Sequence, residues 1–230
     1  MASEPTFAAI GTQTDTIDVR LSYRIIELFS EGLYASPNKA VEELVANAFD
    51  AGAERVLVLL SSNLHDQNAS IIVVDDGEGM GADGFKKHWL VGVSDKRRLS
   101  KLPHGRQQIG QFGIGKLATY VLANRLSHIS KYGKKYFATS MDFRAIDQRI
   151  EKEVEPKRPI KIPLRELTED EAKQALKQWL DTHSFKKSEI PLFGKGAPAT
   201  WTVAIMSALK EKVLEIRPGI DQPEFLYHGE

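Results

Sequence analysis

The chain has 230 residues, 42% of them hydrophobic, and this length and composition suit one globular domain with a single sizeable core. Basic and acidic residues number 31 each, so no overall field draws the chain toward nucleic acid or an anionic membrane, and any such contact needs a local patch. Cysteine is absent, which excludes a disulfide scaffold and a thiol nucleophile, and the six histidines lack the spacing of a zinc site. With no signal peptide and no apolar run long enough to span a membrane, we expect a cytoplasmic protein without a membrane partner.

The predicted elements begin after a short N-terminal arm. Residues 1 to 18 are small and polar, so we expect a flexible arm, with the folded domain spanning 19 to 230. Apolar residues between 21 and 33 recur with helical period. The pattern next predicts a helix over roughly 37 to 51, because a serine can cap its start, a proline suits its first position and a glycine follows its last turn.

Two short strands and a short helix are predicted next. The aliphatic runs 55 to 60 and 70 to 75 are separated by a turn-rich stretch, which indicates neighbouring strands. Residues 81 to 90 then suit a short helix. The stretch 92 to 110 is basic and has little apolar periodicity, so we expect a mobile loop there.

The second half of the chain is predicted to return to the sheet. Residues 114 to 123 have helical period, while 126 to 130 and 135 to 143 alternate like the two strands of a hairpin. Strand character resumes from 200 to 207.

Between the hairpin and the last strand, the composition becomes highly charged. We interpret residues 144 to 193 as an insertion into the domain. Within it, Thr168-Glu169-Asp170-Glu171 fits a capping box that opens a helix to about residue 181.

The helix predicted over 37 to 51 carries an acid, an amide and a second acid on one stripe. Glu43, Asn47 and Asp50 stand at i, i+4 and i+7, which 3.6 residues per turn brings to the same face. Asparagine and aspartate are poor helix formers and usually need another reason to lie inside a helix. The alternative is that this stripe is merely the solvated face of an amphipathic helix.

A glycine turn follows the second predicted strand, in the segment Asp75-Asp76-Gly77-Glu78-Gly79-Met80. A carboxylate at the end of an apolar strand can accept a hydrogen bond from an exocyclic amine such as adenine N6, which would select adenine over guanine. Either Asp75 or Asp76 could supply that carboxylate. The alternative is an ordinary Asp-Gly turn between two strands.

A second glycine segment, Gly110-Gln111-Phe112-Gly113-Ile114-Gly115-Lys116, opens the next predicted helix. Its glycines allow backbone amides and a helix N-terminus to approach phosphate groups. The same spacing also begins a P-loop, but Leu117 occupies the position where a P-loop needs serine or threonine for magnesium. No hydrophobic strand precedes the segment either, so the P-loop interpretation is rejected.

The order and spacing of these three segments resemble the N, G1 and G2 boxes of the GHKL ATPase superfamily, named for gyrase, the ninety-kilodalton heat-shock chaperone, histidine kinases and MutL. The match runs from about 22 to 120. The form Glu-x-x-x-Asn-x-x-Asp-Ala is similar to the hydrolysing branches, since histidine kinases carry the asparagine but typically lack both acids. Residues 89 to 96 and 113 to 118 look most similar to the MORC-like and MutL-like bacterial members. The resemblance implies a Bergerat-type two-layer α/β sandwich with a mixed, mostly antiparallel sheet.

The resemblance also implies how the G1 box binds a base. The register Asp-x-Gly-x-Gly-Met makes Asp75 the adenine-binding carboxylate. Gly77 and Gly79 would then shape the turn, and Met80 would offer apolar contact to the base.

At the phosphate end, the resemblance assigns the acid–amide–acid stripe and the G2 box. The amide oxygen of Asn47 suits Mg²⁺, which prefers oxygen ligands and keeps several waters. Glu43, one turn earlier, suits a general base that orients the attacking water, while Asp50 would hold the glycine loop or a metal-bound water. The phosphates would lie against the G2 residues Gly110, Gly113, Ile114 and Gly115.

Three further residues are assigned by a looser likeness. Lys96 falls where related loops carry a phosphate-facing serine or lysine, although a solvated lysine is the alternative, and Lys116 would add charge near the phosphates. The basic cluster 96 to 106 could instead contact a nucleic-acid backbone. Thr200 resembles a threonine that contacts the lid or phosphates in relatives, although Ala199 replaces the glycine usual before it.

Together these features predict Mg²⁺-dependent ATP binding and slow hydrolysis by a switch module, with a lid over 92 to 112 that opens and closes. We expect an ATP-dependent homodimer and an unknown protein partner or downstream domain, since the chain ends about where relatives continue. The alternatives are a module that only binds nucleotide, a kinase of the histidine type, and a nucleic-acid-associated clamp.

Overall fold

The computed structural model describes residues 10–19, 37–89, 105, 109, 115–145, 160–183, 190–211, 213 and 224–228. The helix expected between 21 and 33 lies outside these ranges. In chain order the described elements are β1 (Thr12–Val19), α1 (Pro37–Asp50), β2 (Arg55–Leu60), β3 (Ser70–Asp75), α2 (Ala82–Trp89), α3 (Gly115–Leu122), β4 (Ala123–Tyr132), β5 (Lys135–Asp142), β6 (Ile160–Leu167), α4 (Glu169–Thr182), β7 (Trp201–Leu209) and β8 (Glu224–His228).

The strands form one eight-stranded sheet in the order β1-β6-β5-β4-β7-β3-β2-β8. Every strand pairing among the described residues is antiparallel. The expected class, helices against a mostly antiparallel sheet, is therefore confirmed, but the described part has no parallel pair and the sheet is not mixed there. A two-residue turn joins β4 to β5, and such a short connection allows only the antiparallel direction.

Apolar side chains cover both faces of the sheet. Along β2 and β3, alternate residues enter two separate core clusters, one facing α1, α2 and α3 and the other facing α4. A strand that is buried on both faces reads as a continuous apolar run, as β3 does. Helix α4 thus adds a layer beyond the two expected, because the second face of the sheet is also apolar and must be covered.

Most predicted elements lie close to their expected bounds. The end of α1 shows why: Gly52 has φ 75°, its N–H bonds the Phe49 carbonyl at 2.9 Å, and the Ala53 N–H bonds the Ala48 carbonyl at 3.1 Å. This left-handed cap closes the helix where the glycine predicted it.

No helix in the described ranges is long and apolar enough to cross a membrane.

The expectation of a flexible arm over residues 1 to 18 is wrong for its described part. Residues 12–19 form β1, an edge strand paired with β6, and Ile17 is buried in the core. Arg165 donates to the carbonyls of Ile10 and Gly11 at 3.2 and 3.0 Å, and the Gly11 N–H donates to Glu171 at 3.0 Å. The small polar residues gave little strand signal, because the partners that order them lie about 150 residues away.

The stretch 144 to 193, expected to be an insertion, contributes to the sheet in its described part. β6 pairs with both β1 and β5, and α4 covers the second face. The capping box at Thr168 is confirmed: its hydroxyl accepts the Glu171 N–H, and the Glu171 carboxylate accepts the Thr168 N–H at 2.8 Å. High charge misled the prediction, since α4 keeps one solvated face.

We predict that Thr168→Ala lowers the free energy of unfolding by about 1 kcal/mol, because the first turn of α4 loses its side-chain cap. Urea denaturation measures the change. Gln174→Ala, at an exposed position of the same helix, serves as the control and should stay within about 0.5 kcal/mol of wild type. Equal stability of the two variants would contradict this account.

Candidate functional site

The carboxylate of Asp75 lies at the end of β3, where the sheet meets the glycine turn. Its strand neighbours are Val56 of β2 and Thr202 of β7, and its side chain is only 8% exposed. The Gly77 N–H donates to Oδ1 at 3.0 Å, and no other hydrogen bond reaches this carboxylate within the described residues. A buried acceptor with one donor has capacity for a further donor from a ligand.

Burial raises the pKa of Asp75 to about 7, far above its ordinary value of 3.8, because the charged form loses its hydration. The bond from Gly77 opposes this rise, and the neighbouring charge of Asp76 adds a smaller increase in the pKa. The ionised form is therefore costly until another donor reaches it. A ligand amine that donates to the carboxylate would stabilise that form.

The adjacent Asp76, which the sequence left as an alternative, already has structural partners. Its Oδ1 accepts the backbone N–H groups of Glu54 and Arg55, each at 2.8 Å. Its Oδ2 accepts the Arg55 side chain at 2.8 Å. Asp76 thus fixes the start of β2 against the end of β3, and Asp75 is the acid that faces the turn.

The glycine turn packs so closely that side chains would not fit at two of its positions. A Cβ on Gly77 would lie 2.8 Å from the Ala51 carbonyl oxygen and 2.9 Å from Asp75 Oδ1. Gly79 has φ 66°, and a Cβ there would lie 2.3 Å from the Lys131 carbonyl oxygen. The turn therefore requires glycine for close backbone approach at both positions, and for left-handed backbone at Gly79.

Side chains from two neighbouring strands hold this turn in place. Thr200, just before β7, donates to the Gly77 carbonyl at 2.7 Å, so the structure brings the weakly predicted threonine to the G1 turn despite Ala199. Ser130 of β4 accepts the Met80 N–H at 2.8 Å and donates to the Trp201 carbonyl at 2.8 Å. Sequence reasoning missed Ser130, whose only signal was a polar residue inside an apolar strand.

The predicted stripe lies on α1 as expected from its spacing. Glu43 and Asn47 are half-buried, whereas Asp50 is only 3% exposed. Asp50 accepts the backbone N–H of Ile109 at 2.9 Å, one residue before the predicted G2 box. Helix α1 also packs against α3, which begins at Gly115. The three side chains of the stripe are thus half-buried or buried, whereas the alternative of a solvated helix face requires them to be exposed.

Several predicted residues lie outside the part of the chain that the structure describes. They are Lys96, Gly110, Gly113 and Ile114, together with most of the expected lid over 92 to 112. Gly115 and Lys116 form the first turn of α3, but the Lys116 side chain is not among the described ones. Their assignments stay predictions.

A site for Mg²⁺ made of protein ligands alone is not found in the described residues. No group of three or more His, Asp or Glu side chains there could hold a metal ion. The fold does place the ring centroids of His88 and His128 4.9 Å apart, a proximity that their spacing in the sequence did not predict. Asn47 as a ligand of Mg²⁺, with phosphate oxygens and water as the remaining ligands, stays a prediction.

Comparison with known proteins gives the family of this site. Residues 34–174, more than half of the chain, match the family model described as histidine kinase-, DNA gyrase B- and HSP90-like ATPase. These residues include the N, G1 and G2 boxes, so the resemblance inferred from them is confirmed at the level of the GHKL superfamily. The narrower likeness to MORC-like members stays a prediction.

Curated relatives match a little under half of the chain. The chain is 30% identical over 108 residues to a putative type II restriction enzyme HgiDII from Herpetosiphon aurantiacus, covering 46% of this chain and 17% of the relative. It is 32% identical over 102 residues to the DNA mismatch repair protein MutL of Thermodesulfovibrio yellowstonii, covering 42% and 17%. It is 25% identical over 129 residues to the chaperone protein HtpG of Rhizobium meliloti, covering 47% and 20%. The chain thus spans a fifth or less of each relative.

The pKa of Asp75 predicts a pH-dependent stability in the absence of ligand. Its folded-state pKa is raised, so its contribution to stability is fully present below about 3.8 and is lost as the pH rises to about 7. Asp75→Asn does not titrate, so between pH 5 and 7 the variant should gain about 2 kcal/mol of unfolding free energy relative to wild type. Urea denaturation at the two pH values measures this difference.

The control for this prediction is Asp76→Ala, which removes three hydrogen bonds at the adjacent position. It should destabilise the fold by about 2 kcal/mol at pH 5. It should also keep losing stability between pH 5 and 7, as wild type does, because Asp75 still titrates in this variant. A pH-independent difference between Asp75→Asn and wild type would show that Asp75 is not the buried titrating group.

Proposed function

Because the chain belongs to the family of histidine kinase-, DNA gyrase B- and HSP90-like ATPases, we propose that it binds Mg-ATP and hydrolyses it slowly. The observation that carries this proposal is the buried carboxylate of Asp75 above a glycine turn that admits no side chain at Gly77. Such a carboxylate with spare acceptor capacity fits the N6 amine of adenine. Guanine presents a carbonyl at the equivalent position, and the ionised carboxylate would repel it.

The residues around Asp75 support the base-binding half of this proposal. Thr200 and Ser130 fix both ends of the turn, so the acceptor is held in one place before ligand arrives. Preorganised groups lose little conformational freedom on binding. Met80 is only partly buried against the core and remains available to contact the base.

The phosphate-binding half rests on α1 and α3. Asn47 would ligate Mg²⁺, and when bound the ion would supply positive charge to the phosphate oxygens. Glu43 lies one turn before Asn47 on the same face, where its carboxylate would orient the attacking water and accept its proton. The N-terminus of α3 at Gly115 would direct backbone N–H groups toward the phosphates.

The switch in this proposal couples the nucleotide to the residues expected to form the lid. Asp50 is buried in α1 and bonds the backbone of Ile109, so it connects the catalytic helix to the segment preceding the G2 box. Closure of residues 92 to 112 over nucleotide would then reach α1 directly. We further propose that ATP binding favours a homodimer and that a partner or further domain uses the change. Since the relatives are much longer, these wider activities stay proposals.

The adenine site is tested by Asp75→Asn. The amide loses the charge-assisted acceptor and can present a donor to the N6 amine, so calorimetry should detect no binding of a non-hydrolysable ATP analogue with Mg²⁺. Asp76→Ala, measured where it remains folded, serves as the control and should retain binding because its partners are structural. Unchanged affinity in folded Asp75→Asn would disprove the assignment.

The chemical step is tested by comparing Glu43→Ala with Asn47→Ala. Glu43→Ala should bind Mg-ATP about as well as wild type yet lose turnover by roughly a hundredfold, because a general base acts on the chemical step alone. Asn47→Ala should weaken Mg²⁺-dependent binding and turnover together. Steady-state hydrolysis and nucleotide calorimetry on the same preparations separate the two. Wild-type hydrolysis by Glu43→Ala would make this a module that only binds nucleotide.

A further inference from the structure

The C-terminal end of α3 is held by the chain that leaves β7. Helix α3 ends at Leu122 and β4 begins at Ala123, so no loop separates the two elements. The Lys210 N–H donates to the Leu122 carbonyl at 2.8 Å, which satisfies one of the carbonyls that a helix leaves open at its end. The last turn of α3 is therefore fixed by a residue from a distant part of the chain.

The side chain of Lys210 makes a second contact with the same turn. Its Nζ lies over the face of the Tyr120 ring, 3.6 Å from the ring centroid. An ammonium at this distance is attracted to the negative face of the ring. The Tyr120 ring also meets the ring of Phe143 edge to face, with centroids 5.6 Å apart, and Phe143 is buried in the core. Tyr120 thus connects α3 to the residues that follow β5 and β7.

The backbone on both sides of Lys210 is anchored as well. Ala208 has φ 51° and is the one non-glycine residue with positive φ in the part of the chain that the structure describes. A side chain makes this left-handed conformation costly, so its surroundings must stabilise it. The Asn124 side-chain amide donates to the Ala208 carbonyl at 3.2 Å. On the other side the Val213 N–H bonds the Lys210 carbonyl at 3.0 Å, and Val213 is buried in the core.

Helix α3 connects this anchor to the proposed phosphate site. Its 8 residues run from Gly115 to Leu122, rise about 12 Å and move as one body, since each turn is hydrogen-bonded to the next. Gly115 begins the helix whose first N–H groups are proposed to face the phosphates. A shift of the last turn would carry these donors with it, and hydrogen bonds tolerate only a narrow range of donor–acceptor distances and angles. The position of Leu122 therefore decides how well the N-terminus meets a phosphate.

We propose that Lys210 is a positioning residue for the phosphate site, because its backbone N–H and its ammonium together hold α3 where the N-terminus of the helix meets the phosphates of ATP. This inference rests on the proposed function and concerns its phosphate half.

The proposed adenine site lies at the other end of the sheet from Lys210. Asp75 is paired with Thr202 at the start of β7, whereas Leu209, at the end of β7, is paired with Ala123. The contact between Lys210 and α3 is thus remote from the carboxylate that would bind the base. Loss of the Lys210 side chain should therefore weaken the binding of a triphosphate and leave the binding of adenosine unchanged.

The test titrates the whole chain with a non-hydrolysable ATP analogue and Mg²⁺, and separately with adenosine, and follows both by NMR. Lys210→Met removes the charge and should bind the ATP analogue roughly tenfold more weakly than wild type, a loss of the size expected for one cation–π contact, while adenosine binding stays the same. Lys210→Arg keeps a cation over the ring and should bind both ligands like wild type. Lys177→Met, at an exposed lysine of α4 on the opposite face of the sheet, is the matched control and should change neither affinity.

Variants of Tyr120 check the same contact from its other side. Tyr120→Phe keeps a ring beneath the ammonium and should bind the ATP analogue like wild type, whereas Tyr120→Leu should lose roughly the same tenfold. The double variant of Lys210→Met and Tyr120→Leu should bind no more weakly than the single variants, because each change removes the same contact. A merely structural role would instead lower the binding of both ligands together, in proportion to the unfolded fraction.

Two results would overturn the role of Lys210 and leave the ATP site standing. One is equal affinity of wild type and Lys210→Met for the ATP analogue, and the other is an equal loss of affinity for the analogue and for adenosine in Lys210→Met. Failure of the proposed function gives a different result, because wild type itself would then bind neither ligand. In that case α3 has no phosphate to meet, and the role of Lys210 is disproved with it.

Discussion

The burial of one carboxylate at the end of a strand constrains the rest of this structure. Asp75 terminates β3, which is covered on both faces, so its charge lies where hydration is largely lost. The backbone around it must therefore approach closely enough to supply a donor, which only glycine at position 77 allows. The same turn joins the end of α1 to the start of β7, because Gly77 lies against the Ala51 carbonyl and its own carbonyl accepts the Thr200 hydroxyl.

Two adjacent aspartates illustrate how local geometry separates structure from function. Strand pleating directs consecutive side chains to opposite sides, so Asp75 and Asp76 meet different surroundings although they are neighbours in sequence. Asp76 finds three donors from the start of β2 and holds the strand pair together. Asp75 finds one donor and keeps acceptor capacity. An acid that is left short of partners in a buried place is the kind of group that a ligand completes.

The same end of the sheet collects groups from distant parts of the chain. Thr200, Ser130 and the end of the β4–β5 hairpin all reach the turn after β3, because β7 lies between β3 and β4 in the sheet. The ring of Tyr132, the last residue of β4, lies against Gly81 in the segment that follows this turn.

The sequence by itself determined the elements whose signals are local. The cap at Gly52, the capping box at Thr168, the apolar run of β3 and the spacing of Glu43, Asn47 and Asp50 each depend on contacts within a few residues. Only the tertiary structure decided that residues 12–19 join the sheet, that β6 and α4 complete it, and that Ser130 and Tyr132 adjoin the glycine turn. These arrangements depend on hydrogen bonds and packing between residues from 25 positions apart, as in Thr139 and Leu164, to 160 apart, as in Gly11 and Glu171. Such pairings leave no periodic trace in the sequence, because the partner that stabilises each one lies on another strand.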